Sequence, residues 1–176
     1  MTLTAQTAPV TVRRARTSDV QHIRELVAPL ADERVLIAKE AVAYYEGLQE
    51  FRIAQDAGGN VIGCGALHVM WEDLAEVRTL ATHQDWRGRG VGHLLLEQLL
   101  ADAVDIGVSR VFCLTFEVDF FERHGFEVME NQAAVDPQVY SELLRSQDEG
   151  VAEFLDLARV KPNTLGNTRM IRSVRG

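Results

Sequence analysis

The chain predicts a mixed α/β fold, in which a central sheet of antiparallel and parallel strands is flanked by helices. Two apolar, strand-like runs near residues 51–71 are joined by Ala57-Gly58-Gly59-Asn60, which reads as an antiparallel hairpin turn. Further on, a strand ending at Thr82 enters an arginine- and glycine-rich turn, and a long amphipathic stretch and a second apolar run follow. Strand, helix and strand in that order make a parallel βαβ unit. The length of 176 residues is enough for one domain with a substantial core.

The elements follow in order. Val10 to Ala15 alternates as a first strand. Ser18 and Gln21 have capping-box spacing, and Ile23, Leu26, Val27 and Leu30 then share one helical face. A second helix is expected from Lys39 to Glu46. Phe51 to Ala54 and Val61 to Trp71 are the hairpin strands, Glu72-Asp73 turns the chain, and Leu74 to Thr82 is the next strand. The helix after the glycine turn buries Leu96, Leu99, Leu100, Ala103 and Val104 and ends at Gly107. Ser109 to Phe116 reads as a strand covered on both faces. A short helix over Asp119–His124 ends at Gly125, and Phe126 to Met129 is a strand. Val139, Leu143 and Leu144 suggest a helix, Glu149 to Leu157 fits helix or strand, and Thr168 to Val174 is the last strand.

The formal net charge of −8 argues against a general nucleic-acid surface. No apolar run reaches membrane-spanning length. Met1 to Ala8 lacks the basic and apolar regions of a signal peptide, so residues 1–9 are expected to be a disordered leader and the chain cytoplasmic. Cys64 and Cys113 sit in strand-like runs and read as buried free thiols. No Cys/His cluster has zinc spacing, and no metal is expected.

Residues Thr79 to Gly92 carry the strongest functional signal. Exposed backbone amides, a helix N-terminus and two arginines converge there, which suits a phosphate group. Gly92 is followed by His93 and Leu94, which excludes the nucleotide P-loop. Gly88, Gly90 and Gly92 are spaced two apart, which excludes the dinucleotide fingerprint. Arg87, Gly90 and Gly92 instead fill an Arg-x-x-Gly-x-Gly pattern that resembles the acetyl-CoA pyrophosphate loop of the GNAT N-acetyltransferases. Phe120 to Phe126 resembles that family's helix-then-glycine signature. The resemblance implies the GNAT acyl-CoA N-acyltransferase fold, a single N-acetyltransferase domain over residues 10–176, and acetyl-CoA as co-substrate. It further implies that Arg87, Gly88, Arg89, Gly90, Val91 and Gly92 bind the pyrophosphate. In the family the fourth strand bulges away from the fifth, and the amides exposed there map onto Leu80, Ala81 and Thr82 as donors to the thioester oxygen.

Acetyl transfer also needs a base for the ammonium and a donor for the leaving thiolate. Glu76, four residues before Leu80, is the candidate base, with Glu117 and Asp119 as competing carboxylates. Many family members place a tyrosine where this chain has Phe121, so the Thr115 hydroxyl is the candidate acid. Motifs at Gly63 to His68, Glu76 to Thr79, Phe112 to Glu117, Glu153 to Leu157 and Leu165 to Met170 resemble the short bacterial N-acetylglutamate synthases. That resemblance implies acetylation of the L-glutamate α-amine, the opening step of arginine biosynthesis. Residues 159–176 hold five basic residues and no acidic one. Arg78, Thr79, Lys161, Asn163, Asn167, Thr168 and Arg169 are therefore candidate contacts to an anionic small-molecule acceptor. The family's habit of pairing through sheet edges implies a homodimer. Two rival readings remain: the same chemistry on L-glutamine or another small amine, and a non-catalytic acetyl-CoA sensor, for which Phe121 is the main support.

Overall fold

The computed structural model describes residues 9–36, 39–131, 135–157, 160 and 166–174. Apart from Pro9, the expected leader lies outside these, as do Lys161 and Asn163 of the expected acceptor contacts and Arg159 and Arg175 of the basic tail. The strands are β1 (Thr11–Arg14), β2 (Phe51–Gln55), β3 (Val61–Trp71), β4 (Leu74–Thr82), β5 (Arg110–Thr115), β6 (Glu127–Val128) and β7 (Thr168–Ser173). The helices are α1 (Val20–Asp32), α2 (Ala41–Glu46), α3 (Val91–Ile106), α4 (Val118–Arg123), α5 (Pro137–Leu143) and α6 (Glu149–Phe154). The strands form one seven-stranded mixed sheet of order β1-β2-β3-β4-β5-β7-β6. The described residues fall into two compact units, one within 1–66 and 79–99, the other within 67–78 and 100–176. Strands β3 and β4 and helix α3 pass from one unit to the other along the chain.

In the first unit β1 pairs antiparallel with β2, from Thr11↔Gln55 to Arg14↔Arg52, and β2 pairs antiparallel with β3. The hairpin turn between β2 and β3 is held by Asp56, whose Oδ1 accepts the Gly58 and Asn60 amides at 2.9 Å. Apolar faces of α1 and α2 meet the sheet through Ile23, Val27, Tyr44, Phe51 and Ile53. The start of α1 departs from the expected Ser18–Gln21 capping box. A 3-10 turn over Thr17–Asp19 precedes the helix, and α1 begins at Val20. The Asp19 carboxylate accepts the Arg16 amide at 2.7 Å and both ends of the Arg13 guanidinium at 2.7 and 2.9 Å. That short, buried carboxylate outcompetes the Ser18 hydroxyl, because charge-assisted bonds are the stronger ones.

In the second unit β4 pairs parallel with β5 from Leu74↔Arg110 to Glu76↔Phe112, completing the expected βαβ connection. Strand β5 pairs antiparallel with β7 along its whole length, from Arg110↔Ser173 to Thr115↔Thr168. Strand β6 is shorter than Phe126–Met129: Glu127 and Val128 pair with β7, and the Met129 amide donates to the Arg169 carbonyl at 2.8 Å. The first part of the 149–157 segment, Glu149–Phe154, is helix α6, capped by Asp148, whose Oδ1 accepts the Val151 amide at 3.1 Å. Phe154 of α6 meets Phe112 of β5 edge-on, with centroids 5.6 Å apart.

Val104, expected in the core, and Leu144, expected on a helix, are both exposed. Val104 sits a quarter-turn beyond Ala103, off the stripe formed by Val91, Leu95, Leu96, Leu99, Leu100 and Ala103. Leu144 is the cap residue past the end of α5, where Leu143 takes the buried position. Both cysteines are buried free thiols, as expected. Among the described residues no helix is long and apolar enough to cross a membrane.

Candidate active site

The first unit holds the glycine turn and the end of β4. Thr79 has φ +55°, a left-handed conformation within a strand that a β-branched residue rarely adopts. It breaks the regular pleat of β4 just before Leu80, Ala81 and Thr82. The Thr79 carbonyl accepts the Cys64 thiol at 3.4 Å. Burial pushes the Cys64 thiol up to about 12, and a backbone hydrogen bond from Ala81 opposes this. The Ala81 amide therefore faces β3. So does the His83 amide, which donates to the Ile62 carbonyl at 2.8 Å. Alternation along a strand then turns the Leu80 and Thr82 amides away from β3. The three amides expected to act together are divided, with Leu80 and Thr82 on one side and Ala81 on the other.

The turn itself suits an anion. Gly88 and Gly90 have φ of +74° and +84°, and a Cβ on either would meet nothing within 4 Å. Their glycine requirement is thus conformational, and the space beside them is open. The first intrahelical bond of α3 runs from the Leu94 amide to the Gly90 carbonyl, so the Val91, Gly92 and His93 amides precede the ladder. Arg87 and Arg89 are exposed, and the Arg89 guanidinium lies over the Trp86 ring, 5.1 Å from its centroid. Among the described residues neither forms an ion pair. Two arginines, two left-handed glycines and a run of helix-opening amides fit the charge and size of a pyrophosphate.

Helix α3 approaches the sheet closely because β3 carries glycines beneath it. A Cβ on Gly63 would lie 2.9 Å from Val91 Cγ1 and 3.0 Å from Leu95 Cδ1. One on Gly65 would lie 2.9 Å from Leu99 Cδ1. These contacts fix the height of α3, and with it the position of the amides at its start.

The second unit holds the titratable groups. Glu76, on β4, is 7 % exposed. Its Oε2 accepts from Arg78 Nε at 3.0 Å and lies 2.8 Å from Arg78 Nη2. The same guanidinium forms a two-point pair with Asp148, with both contacts at 2.9 Å. His68 Nε2 is 3.6 Å from Asp148 Oδ2. Burial pushes the Glu76 carboxyl above its ordinary value, and the neighbouring Arg78 only partly offsets this. The backbone of Gly150 lies against this carboxylate, so that a Cβ there would stand 2.0 Å from Glu76 Oε2.

Thr115 is buried near the end of β5, and its Oγ1 accepts the Glu117 amide at 2.8 Å. That bond uses a lone pair and leaves the hydroxyl proton to be donated elsewhere. Thr115 is three residues beyond Phe112, the register partner of Glu76, which sets the two about 10 Å apart along the sheet. Asn167 and Thr168 are half-buried at the start of β7. Arg169 is committed elsewhere: it donates through Nε to the Glu153 carbonyl at 2.8 Å, and through Nη2 to the Phe154 carbonyl. It thereby closes the C-terminal end of α6. Arg78 is likewise engaged, by two carboxylates. Phe121 is buried, edge-on to Phe120 and Phe126, and serves as core.

Sequence reasoning missed Asp148, Gly150 and His68. Asp148 three residues before Val151 is an N-cap pattern that could have placed the start of α6. Its pairing with Arg78, 70 residues away, leaves no trace in spacing.

Residues 21–126 match the Acetyltransferase (GNAT) family. A Mycobacterium tuberculosis amino-acid acetyltransferase is 52% identical over 162 residues, covering 91% of this chain and 92% of that relative. A Mycobacterium tuberculosis protein crystallised with CoA and NLQ has a TM-score of 0.87 at 51% identity, covering 93% of this chain and 98% of its own. The Neisseria gonorrhoeae N-acetylglutamate synthase complexed with coenzyme A and N-acetyl-glutamate has a TM-score of 0.75 at 24% identity. This chain covers 37% of that longer protein, and the likeness is one of fold. By family match and by close relative alike, this chain belongs to the GNAT acetyltransferase family.

Proposed function

We propose that this chain transfers the acetyl group of acetyl-CoA to the α-amine of L-glutamate, as a single N-acetyltransferase domain over residues 10–176 working in the cytoplasm. The observation that carries the reading is the 52% identity to an amino-acid acetyltransferase across nearly the whole of both chains. The buried Glu76 supports it chemically.

Acetyl-CoA supplies an acyl thioester, and the chain's residues supply the rest. Arg87, Arg89 and the amides of Gly88 to Gly92 hold the pyrophosphate. The Leu80 and Thr82 amides are the donors available to the carbonyl oxygen, whose negative charge grows as the amine attacks. An amino-acid ammonium must lose a proton before its nitrogen can attack. Glu76 accepts that proton, because a carboxylate raised by burial is a stronger base than one in water. The C–N bond forms, the C–S bond breaks, and the Thr115 hydroxyl donates a hydrogen bond to the departing sulfur. Asn167 and Thr168 are the described polar groups of the tail left to contact the acceptor.

One observation favours L-glutamine as a second reading. Arg78 and Arg169, the described cations expected to bind the acceptor, already serve carboxylates and carbonyls of this chain. A neutral carboxamide would need no further cation.

The test is release of the CoA thiol from acetyl-CoA with L-glutamate, L-glutamine, L-aspartate and a lysine peptide compared side by side. Turnover with glutamate, reduced at least about 100-fold in Glu76→Gln with acetyl-CoA binding kept, is the expected result. A higher kcat/KM for glutamine transfers the assignment to the second reading. Acetyl-CoA binding with no turnover on any amine rejects catalysis and leaves a sensor.

A further inference from the structure

We propose that Asp148 is a positioning residue for the base: by gripping Arg78 at two points, it keeps that guanidinium shared between two carboxylates and leaves Glu76 able to take a proton. The proposal rests on Glu76 being the base in the function proposed above.

The geometry is a chain of three charges. Arg78 meets Asp148 fork to fork, through Nη1 to Oδ2 and Nη2 to Oδ1, both at 2.9 Å. It meets Glu76 at a single oxygen, Oε2, from Nε and Nη2. The better-aligned, two-point partner of the arginine is therefore Asp148. Glu76 keeps its Oε1 out of that pair.

Asp148 is itself anchored at several points. Its Oδ1 accepts the Val151 amide at 3.1 Å, and its own amide donates to Ser146 Oγ at 3.1 Å. His68 approaches its Oδ2 from β3. The residue thus ties the start of α6 to Arg78, and the same helix start places Gly150 against Glu76. The groups facing Glu76 are Arg78 on its own strand, His68 on β3, Cys113 on β5, and Asp148 at the head of α6. Cys113 is a buried thiol held well above its ordinary value, so it stays neutral. Asp148 is the second negative charge in the group.

Removing that charge has a predictable direction. With Asp148 neutral, more of the Arg78 charge falls to Glu76. The guanidinium can then turn toward a two-point pair with it, engaging both carboxylate oxygens. Glu76 becomes a weaker base, with no free oxygen toward the amine.

Two variants test this. Asp148→Asn and Asp148→Ser both keep a good helix cap, so the start of α6 survives. In each, kcat should fall about tenfold, the acid limb of the kcat/KM–pH profile should move to lower pH, and KM for acetyl-CoA should hold. A carboxyl 13C NMR titration of Glu76, assigned with Glu76→Gln, reads the same coupling without turnover. The Glu76 midpoint should fall in both variants relative to the parent chain. If no acceptor is turned over, the proposed function fails while this titration still decides the coupling. Unchanged titration midpoints in both variants overturn the proposal. So does a kcat loss that tracks thermal destabilisation while the pH profile stays fixed.

Discussion

Gly150 shows how one missing side chain shapes the site. Glycine near the start of a helix is ordinarily a weakness, and Gly→Ala in a helix gains up to about 1 kcal/mol. At this position a Cβ would stand 2.0 Å from Glu76 Oε2 and 3.0 Å from Asp148 Oδ1. The obstructing atoms are the far ends of side chains, so the fold can yield by moving Glu76 off Arg78. Gly150→Ala is therefore expected to stay within about 1 kcal/mol of the parent in urea unfolding. Its turnover should fall at least about tenfold, because the base is the group displaced. Full activity in the variant would show that the contact does not hold Glu76. Side chains on one strand were legible in the sequence here: Glu76 is the buried carboxylate the reading singled out. Partners from distant segments were not. Arg169 read as an acceptor contact because a cation in a polar tail suggests an external anion, and Arg78 because it stands beside Glu76. The fold instead sets two carboxylates against Arg78 and helix-end carbonyls against Arg169.

At the scale of elements, the turn and α3 are governed by two different uses of glycine. Gly88 and Gly90 are needed for their left-handed backbone, whereas Gly63 and Gly65 are needed for lack of volume. The two uses predict different failures. Gly90→Ala meets no atom, so it should cost about 1–2 kcal/mol of conformational strain, and it should weaken CoA binding as the amides turn. Gly63→Ala meets Val91, Leu95 and the Ala81 carbonyl, and should destabilise by about 1–3 kcal/mol through overpacking. Calorimetric titration with CoA alongside thermal unfolding separates the two. Equal loss of affinity at equal stability in both variants would contradict this division. Element boundaries were most legible where chemistry marks them. The bounds of β3 and β4 agree with the reading because an Asp/Gly turn and a two-residue turn frame them. Helix α6 was ambiguous because a short apolar run has no clear period. The left-handed Thr79 was invisible, since threonine is the wrong residue to suggest a positive φ.

Across the whole molecule, the buried Glu76 and the arginine-paired aspartates pull stability in opposite directions with pH. The Arg13 guanidinium holds the Asp19 carboxyl below its usual 3.8. At Asp148 burial opposes the shift, but the hydrogen bonds and charge of Arg78 outweigh it, and this carboxyl too lies below 3.8. Both groups stabilise the folded chain above that value and cease to do so as pH falls through their lower folded values. Glu76 has the reverse sign. Burial raises its carboxyl above 4.5, so the folded chain holds that proton more tightly than the unfolded one. Its contribution is most favourable below 4.5 and is lost as pH rises through the raised value. At neutral pH the base is thus a charge that the fold tolerates at a cost in stability, and function is the reason it is there. Glu76→Gln removes that charge and leaves Arg78 paired with Asp148. The variant should be inactive and yet melt higher than the parent at pH 7, by roughly 2–4 °C. The gap should close as pH falls toward 4.5, where the parent's own carboxyl becomes protonated. Thermal scans of both chains from pH 4 to 8 measure it. A variant that melts lower than the parent at neutral pH would mean that pairing with Arg78 outweighs burial, and that Glu76 is held as a structural ion pair.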